Sequence, residues 1–170
     1  MKNKNIIITG GNAGIGLATA IALAKMGANI YIVSRSKEKA EEAVKEIISS
    51  SGNNNVKYFV ANLSSQKSIH QLAAEIKNEL LAVDVLINNA GSGELGAVED
   101  TPLEEAHRMF EVNYFSAVQL IKLCLPGMRE KKSGVILQLG SIVFSLQFPF
   151  KAQYCASKAA LSAFSLSLRH

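Results

Sequence analysis

Thr9-Gly10-Gly11-Asn12-Ala13-Gly14-Ile15-Gly16, directly after the apolar run Ile6-Ile7-Ile8, decides how the rest of this chain is read. An apolar strand that opens into closely spaced glycines and then a helical stretch is a local geometry that receives a dinucleotide. Glycine lets backbone approach phosphate oxygens with no Cβ in between. The helix beyond aims its unpaired N–H groups and the positive end of its dipole at the pyrophosphate. Gly10, Asn12, Ala13, Gly14, Ile15 and Gly16 are therefore the candidate phosphate loop. The spacing Gly10-xxx-Gly14-x-Gly16 differs from G-x-G-x-x-G, and turns collect glycine for conformational reasons alone. Placement between strand and helix gives the cluster its weight.

Outward from this loop, apolar runs alternate with helical patterns. Strands are expected at 5–9, 29–34, 56–60, 83–87 and 135–139. Helices are expected at 14–26 (stopped by Gly27), 37–50, from Ser64 or Ser65 to about 81, 101–125, and 154–168. Thr101-Pro102-Leu103-Glu104 reads as a capping box with proline in the first helical position, and Pro126-Gly127 as the stop of that helix. Strands apolar on both faces, each followed by a helix, imply a parallel sheet covered on both sides. With right-handed crossovers this is an α/β, doubly wound sheet. No repeat or linker is visible, so residues 1–170 read as one domain.

Composition narrows the function classes. The net charge of +4 is mild, and Lys2/Lys4, Lys37/Lys39 and Lys131/Lys132 are scattered pairs rather than a stripe, which argues against a nucleic-acid partner. Cys124 and Cys155 have no metal-ligand spacing, so no metal site is expected, and both read as reduced, buried thiols. The isoleucine run is too short for a secretory signal, and no apolar stretch reaches the ~20 residues of a bilayer span. The expectation is a cytoplasmic protein that is not attached to membrane.

The end of the second strand carries Ser34-Arg35-Ser36 where a carboxylate would accept bonds from the ribose hydroxyls of NAD. Arg35 offers a planar, permanently charged fork suited to a 2′-phosphate, and Ser34 a hydroxyl donor. NADP(H) is favoured over NAD(H), against the plainer reading of a surface arginine.

Farther on, Asn88-Asn89-Ala90-Gly91 follows the fourth strand, Ser141 follows the fifth, and Tyr154-Cys155-Ala156-Ser157-Lys158 opens the last helix. Reducing a carbonyl needs a hydride donor, which a nicotinamide supplies, and a proton donor. Tyrosine, with an ordinary pKa of about 10, works near neutral pH only if its phenolate is stabilised. The Lys158 ammonium, one turn along the same helix face, and the positive charge of an oxidised nicotinamide supply that stabilisation. Ser141 can hydrogen-bond the substrate oxygen.

Taken in order, Thr9-Gly10-xxx-Gly14-x-Gly16, Asn88-Asn89-Ala90-Gly91, Asn113, Ser141 and Tyr154-xxx-Lys158 resemble the short-chain dehydrogenase/reductase family of the compact single-domain type. The resemblance covers all 170 residues. It implies a Rossmann sheet in the order 3-2-1-4-5 and an NAD(P)-dependent oxidoreductase acting on a carbonyl or secondary alcohol. It implies Tyr154 as general acid/base, Lys158 as its cationic partner and nicotinamide-ribose ligand, and Ser141 as the group that orients the carbonyl. Asn113 would hold a water in a proton relay. Asn89, Ala90 and Gly91 would line the adenine side and stabilise the central sheet. A homodimer or homotetramer is the family's common assembly.

Two departures stand out. Asn62-Leu63 replaces the aspartate the family carries after the third strand, and an asparagine carbonyl can still accept the adenine amine. The chain also ends at Arg169-His170, before the family's last strands. The expectation is a truncated product or fragment with an unpaired fifth strand and a pocket lacking part of its wall. A catalytically inactive nucleotide-binding remnant, or an interaction protein, is the alternative. Residues 145–150 are expected to line the pocket, and their apolar character hints at a hydrophobic carbonyl substrate.

Overall fold

The computed structural model describes residues 1–168; Arg169 and His170 lie outside the described residues. Five parallel strands, β1 (Asn5–Thr9), β2 (Asn29–Ser34), β3 (Val56–Val60), β4 (Val85–Asn88) and β5 (Val135–Gln138), form one sheet in the order β3-β2-β1-β4-β5. The helices are α1 (Gly14–Lys25), α2 (Lys37–Ser51), α3 (Gln66–Glu79), α4 (Leu103–Phe110), α5 (Ser116–Glu130) and α6 (Ala152–Ser167). This is the doubly wound sheet expected from the sequence, in the strand order the family resemblance implies.

Strand side chains alternate between two cores. Ile6, Ile8, Ile30, Ile32, Val85 and Ile87 meet Ala20 and Ala24 of α1 and Ala43 and Ile47 of α2. Ile7, Val33, Phe59 and Leu86 meet Ile69, Leu72 and Ile76 of α3 and Leu120, Ile121 and Cys124 of α5. Ile6, Ile7 and Ile8 are wholly buried, each contributing roughly 1.5–3 kcal/mol. Burying both faces of β1 fixes the start of the glycine loop at the centre of the sheet. Ser36 and Ser65 cap α2 and α3 by accepting from the Lys39 and Ser68 N–H groups.

The fourth predicted helix differs most from expectation. Thr101 does not cap it: its hydroxyl donates to the Ala97 carbonyl at 3.0 Å. Pro102 is the extended residue before the helix rather than its first turn, which leaves Thr101 one position too early for a capping box. A π-helical turn, Glu111–Phe115, then interrupts the α pattern before α5. α5 also runs through Pro126 to Glu130. Proline inside a helix costs about 3 kcal/mol, but the buried stripe Leu120, Ile121, Cys124 and Met128 continues past it and offsets that cost. Smaller shifts start β4 at Val85, end α3 at Glu79 and begin α6 at Ala152.

β5 pairs with β4 alone among the described residues. Val135 and Leu137 are 53% and 44% exposed, beside a cleft of about 950 Å³ bordered by α5 and α6. Among the described residues β5 is thus an edge strand of the sheet. Both cysteines are free and buried. Burial pushes the Cys124 thiol up to about 12, which keeps it protonated and unreactive at neutral pH. Alkylation at pH 8 followed by peptide mass analysis should leave Cys124 unmodified in the native chain and label it once urea unfolds the protein. Rapid labelling without denaturant would contradict this packing.

Candidate functional site

The site begins where β1 and β4 end. The Thr9 hydroxyl accepts from the backbone N–H groups of Asn89 and Ala90, both at 3.0 Å. The Asn89 amide donates back to the Thr9 carbonyl at 2.8 Å and the Gly10 carbonyl at 3.2 Å. Asn89 and Ala90 thus tie the central strands together and hold the glycine loop against them. The loop also needs its small residues. Gly10 and Gly14 adopt φ of +64° and +54°, a region L side chains rarely enter. A Cβ on Gly16 would run into the Gly10 carbonyl and the Asn89 amide, whereas one on Gly14 would meet nothing. Asn12, Ala13, Gly14 and Ile15 form an accessible rim at the start of α1. A tight glycine turn below an open rim and a helix N-terminus fits a pyrophosphate.

Lys158 and Tyr154 share one face of α6. The Lys158 ammonium lies 6.0 Å from the Tyr154 ring centroid and donates to the Leu139 carbonyl at 2.8 Å, just past β5. Burial holds its pKa below the ordinary lysine value, because the charged form loses hydration there. Both side chains border a cleft of about 680 Å³ together with Ile15, Asn89, Gly91, Ser92 and Gly140. The opening loop, the segment after β4 and the start of α6 therefore face the same space.

Asn113 sits at the middle of the π-helical turn and is 1% exposed. It is therefore not the solvent-facing polar residue a regular helix would make of it. Its side-chain oxygen accepts from the Ser92 N–H at 2.8 Å, and its amide donates to the Ser92 carbonyl at 2.8 Å and to the Ser157 hydroxyl at 2.9 Å. Ser157 in turn donates to the Tyr154 carbonyl at 2.8 Å. Gly91 lies beside this network: a Cβ there would sit 3.4 Å from the Asn113 oxygen and 3.6 Å from the Lys158 nitrogen, at ordinary contact distance. Ser141 follows β5; its hydroxyl accepts from the Val143 N–H at 3.4 Å, which leaves its own proton free to donate.

Three expectations change. Ser34 is buried and its hydroxyl donates to the Ser36 carbonyl at 3.0 Å, so it is spent in a local turn. Arg35 beside it is exposed. The Asn62 side-chain oxygen is occupied by Ser64, through N–H at 3.1 Å and hydroxyl at 2.8 Å, and the Leu63 side chain is buried in the core beneath α3. The Asn62 NH₂ group and the Leu63 backbone are left to contribute at that site. Finally, Gln147, Phe148 and Pro149 line a separate cleft of about 550 Å³ against Ala152, Cys155, Ala156 and Ala159 rather than the Tyr154 cleft. They belong to a loop beside α6 whose residues 145–150 are all exposed, Leu146, Phe148 and Phe150 among them. Sequence reasoning missed Thr9, Ser92 and Ser157. The readable signal for Ser157 is a small hydroxyl on the buried face of α6, beside Cys155, Lys158 and Leu161.

Among the described residues no helix is long and apolar enough to cross a membrane, and no cluster of metal-ligating side chains occurs.

Dehydrogenase/reductase SDR family member 7B of Mus musculus is 36% identical over 171 residues, covering 99% of this chain and 53% of that protein. A fatty acyl-CoA reductase of Acinetobacter baylyi is also 36% identical, covering 99% and 57%. The chain thus spans about half the length of the curated relatives it matches. L-Sorbose reductase from Gluconobacter frateurii, solved with NADPH and L-sorbose, superposes with a TM-score of 0.92 at 29% identity, over 99% of this chain and 64% of that one. NAD+-bound xylitol dehydrogenase superposes at 0.89 with 26% identity, over 98% and 64%. The family model described as short chain dehydrogenase matches residues 4–170, and on that match, with the fold already in place, the chain belongs to the short-chain dehydrogenase family.

Proposed function

We propose that this chain carries the cofactor-binding and proton-transfer machinery of an NADP(H)-dependent oxidoreductase that interconverts a carbonyl and a secondary alcohol. The observation that carries the reading is the shared cleft: Tyr154, Lys158 and Ile15 of the glycine loop border the same space. A bound nicotinamide supplies the hydride. Tyr154 donates the proton to the substrate oxygen in reduction and withdraws it in oxidation. Lys158 stabilises the phenolate left behind, at a distance where its charge is poorly screened. Ser141 donates its free proton to the same oxygen as negative charge develops there. The Asn113 side chain is fully engaged by Ser92 and Ser157, so the part left to hold a relay water is its main-chain carbonyl. The π-helical turn supports this, since it breaks the regular pairing of helix carbonyls.

Arg35 is the exposed cation at the end of β2 and the residue proposed to read a 2′-phosphate. Solved neighbours hold either cofactor: NADPH in L-sorbose reductase and NAD+ in xylitol dehydrogenase. The preference for NADP(H) rests on Arg35 and on the absence of a carboxylate in Ser34-Arg35-Ser36.

Purified protein incubated with NADPH and a carbonyl panel should oxidise the cofactor, and Tyr154→Phe should slow this by roughly 10²–10⁴-fold while leaving NADPH binding intact. Equal rates for the two proteins would overturn the role of Tyr154 and favour the nucleotide-binding remnant. Arg35→Ala should weaken NADPH about 10–100-fold and NADH little, as loss of a charged hydrogen bond predicts. Equal loss for both cofactors would remove the basis for the NADP preference.

Lys158 gives a test independent of turnover. Its folded-state pKa lies below the ordinary 10.5, so its proton leaves the folded chain before the unfolded one. The cost of burying the ammonium is present at neutral pH and is relieved as pH rises through the folded value toward 10.5. Urea denaturation across that range should show wild type gaining stability relative to Lys158→Met. A constant difference between the two would refute the assignment.

A further inference from the structure

The cleft beside Tyr154 is bordered by a charged group that the reaction above leaves unused. Lys151 is the residue just before α6, and its ammonium lies 5.9 Å from the Tyr154 ring centroid, nearly matching the 6.0 Å of Lys158. The two cations differ in how far they are engaged. Lys158 is buried and donates to the Leu139 carbonyl. Lys151 is half-buried, borders the cleft and makes no ion pair among the described residues. Its place is set by the residue before it. Phe150 has φ of +63°, a region bulky side chains rarely enter, and its carbonyl accepts from the Gly96 N–H at 2.9 Å. The Phe150 ring is exposed, so its packing does not account for that conformation. A strained residue tied to the loop after β4, beside a cleft, points to a position held for a ligand.

The rest of the cleft border limits what that ligand can be. Phe148 and Pro149 border another cleft, and the charged groups left around Tyr154 are Lys151, Lys158 and Glu94. Glu94 is the one carboxylate, and it is not paired with Lys151. A carbonyl compound whose oxygen meets the Tyr154 hydroxyl lies against the ring that Lys151 faces. An anionic group a few bonds from that carbonyl comes within reach of the ammonium. One free ammonium matches one negative charge. The two charges of a phosphate would meet Glu94 with no second free cation, because Lys158 is already engaged. A carboxylate is the group that fits.

We propose that Lys151 determines substrate specificity by pairing with the carboxylate of a keto acid. The inference rests on the cofactor and Tyr154 roles given above and names the substrate class for them. In reduction the carbonyl carbon takes the hydride of the bound nicotinamide and the carbonyl oxygen takes the Tyr154 proton. The keto acid leaves as a hydroxy acid, with its carboxylate unchanged.

The test compares levulinate with its methyl ester as substrates for NADPH oxidation at neutral pH. The two share one ketone, set two methylenes from the carboxyl group, so the carbonyl is nearly equally reactive in both. Wild type should favour the acid about tenfold in kcat/KM, the range a charged hydrogen bond commands. The difference should lie in KM and shrink in concentrated salt. Lys151→Met should abolish the preference by raising KM for the acid, whereas Lys151→Arg, which keeps the charge, should retain it. Lys151→Gln serves as a second neutral variant if the methionine variant folds poorly. A preference that survives in the neutral variants, equal losses for acid and ester, or a wild type that favours the ester overturns the assignment of Lys151 and leaves the Tyr154 reading intact. Failure of wild type to oxidise NADPH with either compound or with any member of the carbonyl panel overturns the oxidoreductase reading and this inference with it.

Discussion

The reciprocal bonding between Thr9 and Asn89 is the constraint on which the site depends. Parallel strands end in unpaired carbonyls and N–H groups, and a loop leaving such an end has no intrinsic reason to keep a fixed direction. Here one hydroxyl satisfies two backbone donors beyond β4, and one amide satisfies two backbone carbonyls at the end of β1. The glycine loop and the segment after β4 are thereby locked to each other. Close packing tightens the same junction: Gly16 has no room for a side chain because the Gly10 carbonyl and the Asn89 amide occupy it. The rim Asn12–Ile15 is left facing the cleft that also holds Tyr154 and Lys158.

A second constraint places the titratable groups. Lys158 is buried and donates to the carbonyl of Leu139. Its charge is therefore held close to the phenol ring at the expense of hydration. Ser157, wholly buried, joins Tyr154 to Asn113, and Asn113 joins both to Ser92. Three elements distant in sequence (the segment after β4, the π-helical turn and α6) are connected by neutral hydrogen bonds in which each donor meets an acceptor. Such a satisfied network is rigid, because any displacement leaves a buried polar group without a partner.

Much of this was legible beforehand because it depends on local chemistry. Both faces of β1 had to be apolar, Gly27 had to end α1, and Tyr154 and Lys158 had to share a helix face once α6 formed. The parallel order followed from alternating strands and helices together with the family resemblance. What sequence could not supply was set by competition among neighbours. Ser34 and Asn62 looked free to contact a ligand, but Ser36 and Ser64 lie within two residues and claim their acceptors or protons first. Thr101 looked like a cap, yet Pro102 occupies the turning residue. Pro126 looked like a stop, yet the stripe through Met128 overrides it. Residues 145–150 looked like wall of the Tyr154 cleft, yet Gln147, Phe148 and Pro149 border a different cleft beside α6. The misses at Ser34, Asn62 and Thr101 came from treating a side chain's hydrogen-bonding capacity as unspent.

The π-helical turn around Asn113 carries a consequence for how this protein can change. Each residue of an α-helix advances about 100° around the axis, and the wider turn inserts one residue without adding a regular step. The faces before and after it are thus out of phase: α4 lies against α6, whereas α5 lies against α3 and the sheet. Deleting one residue to regularise the helix would swing Leu120, Ile121 and Cys124 away from β4 and at the same stroke withdraw the Asn113 amide from Ser92 and Ser157. The foundation of the sheet's second layer and the wiring of the cleft are written into the same five residues, so drift in one cannot proceed without the other.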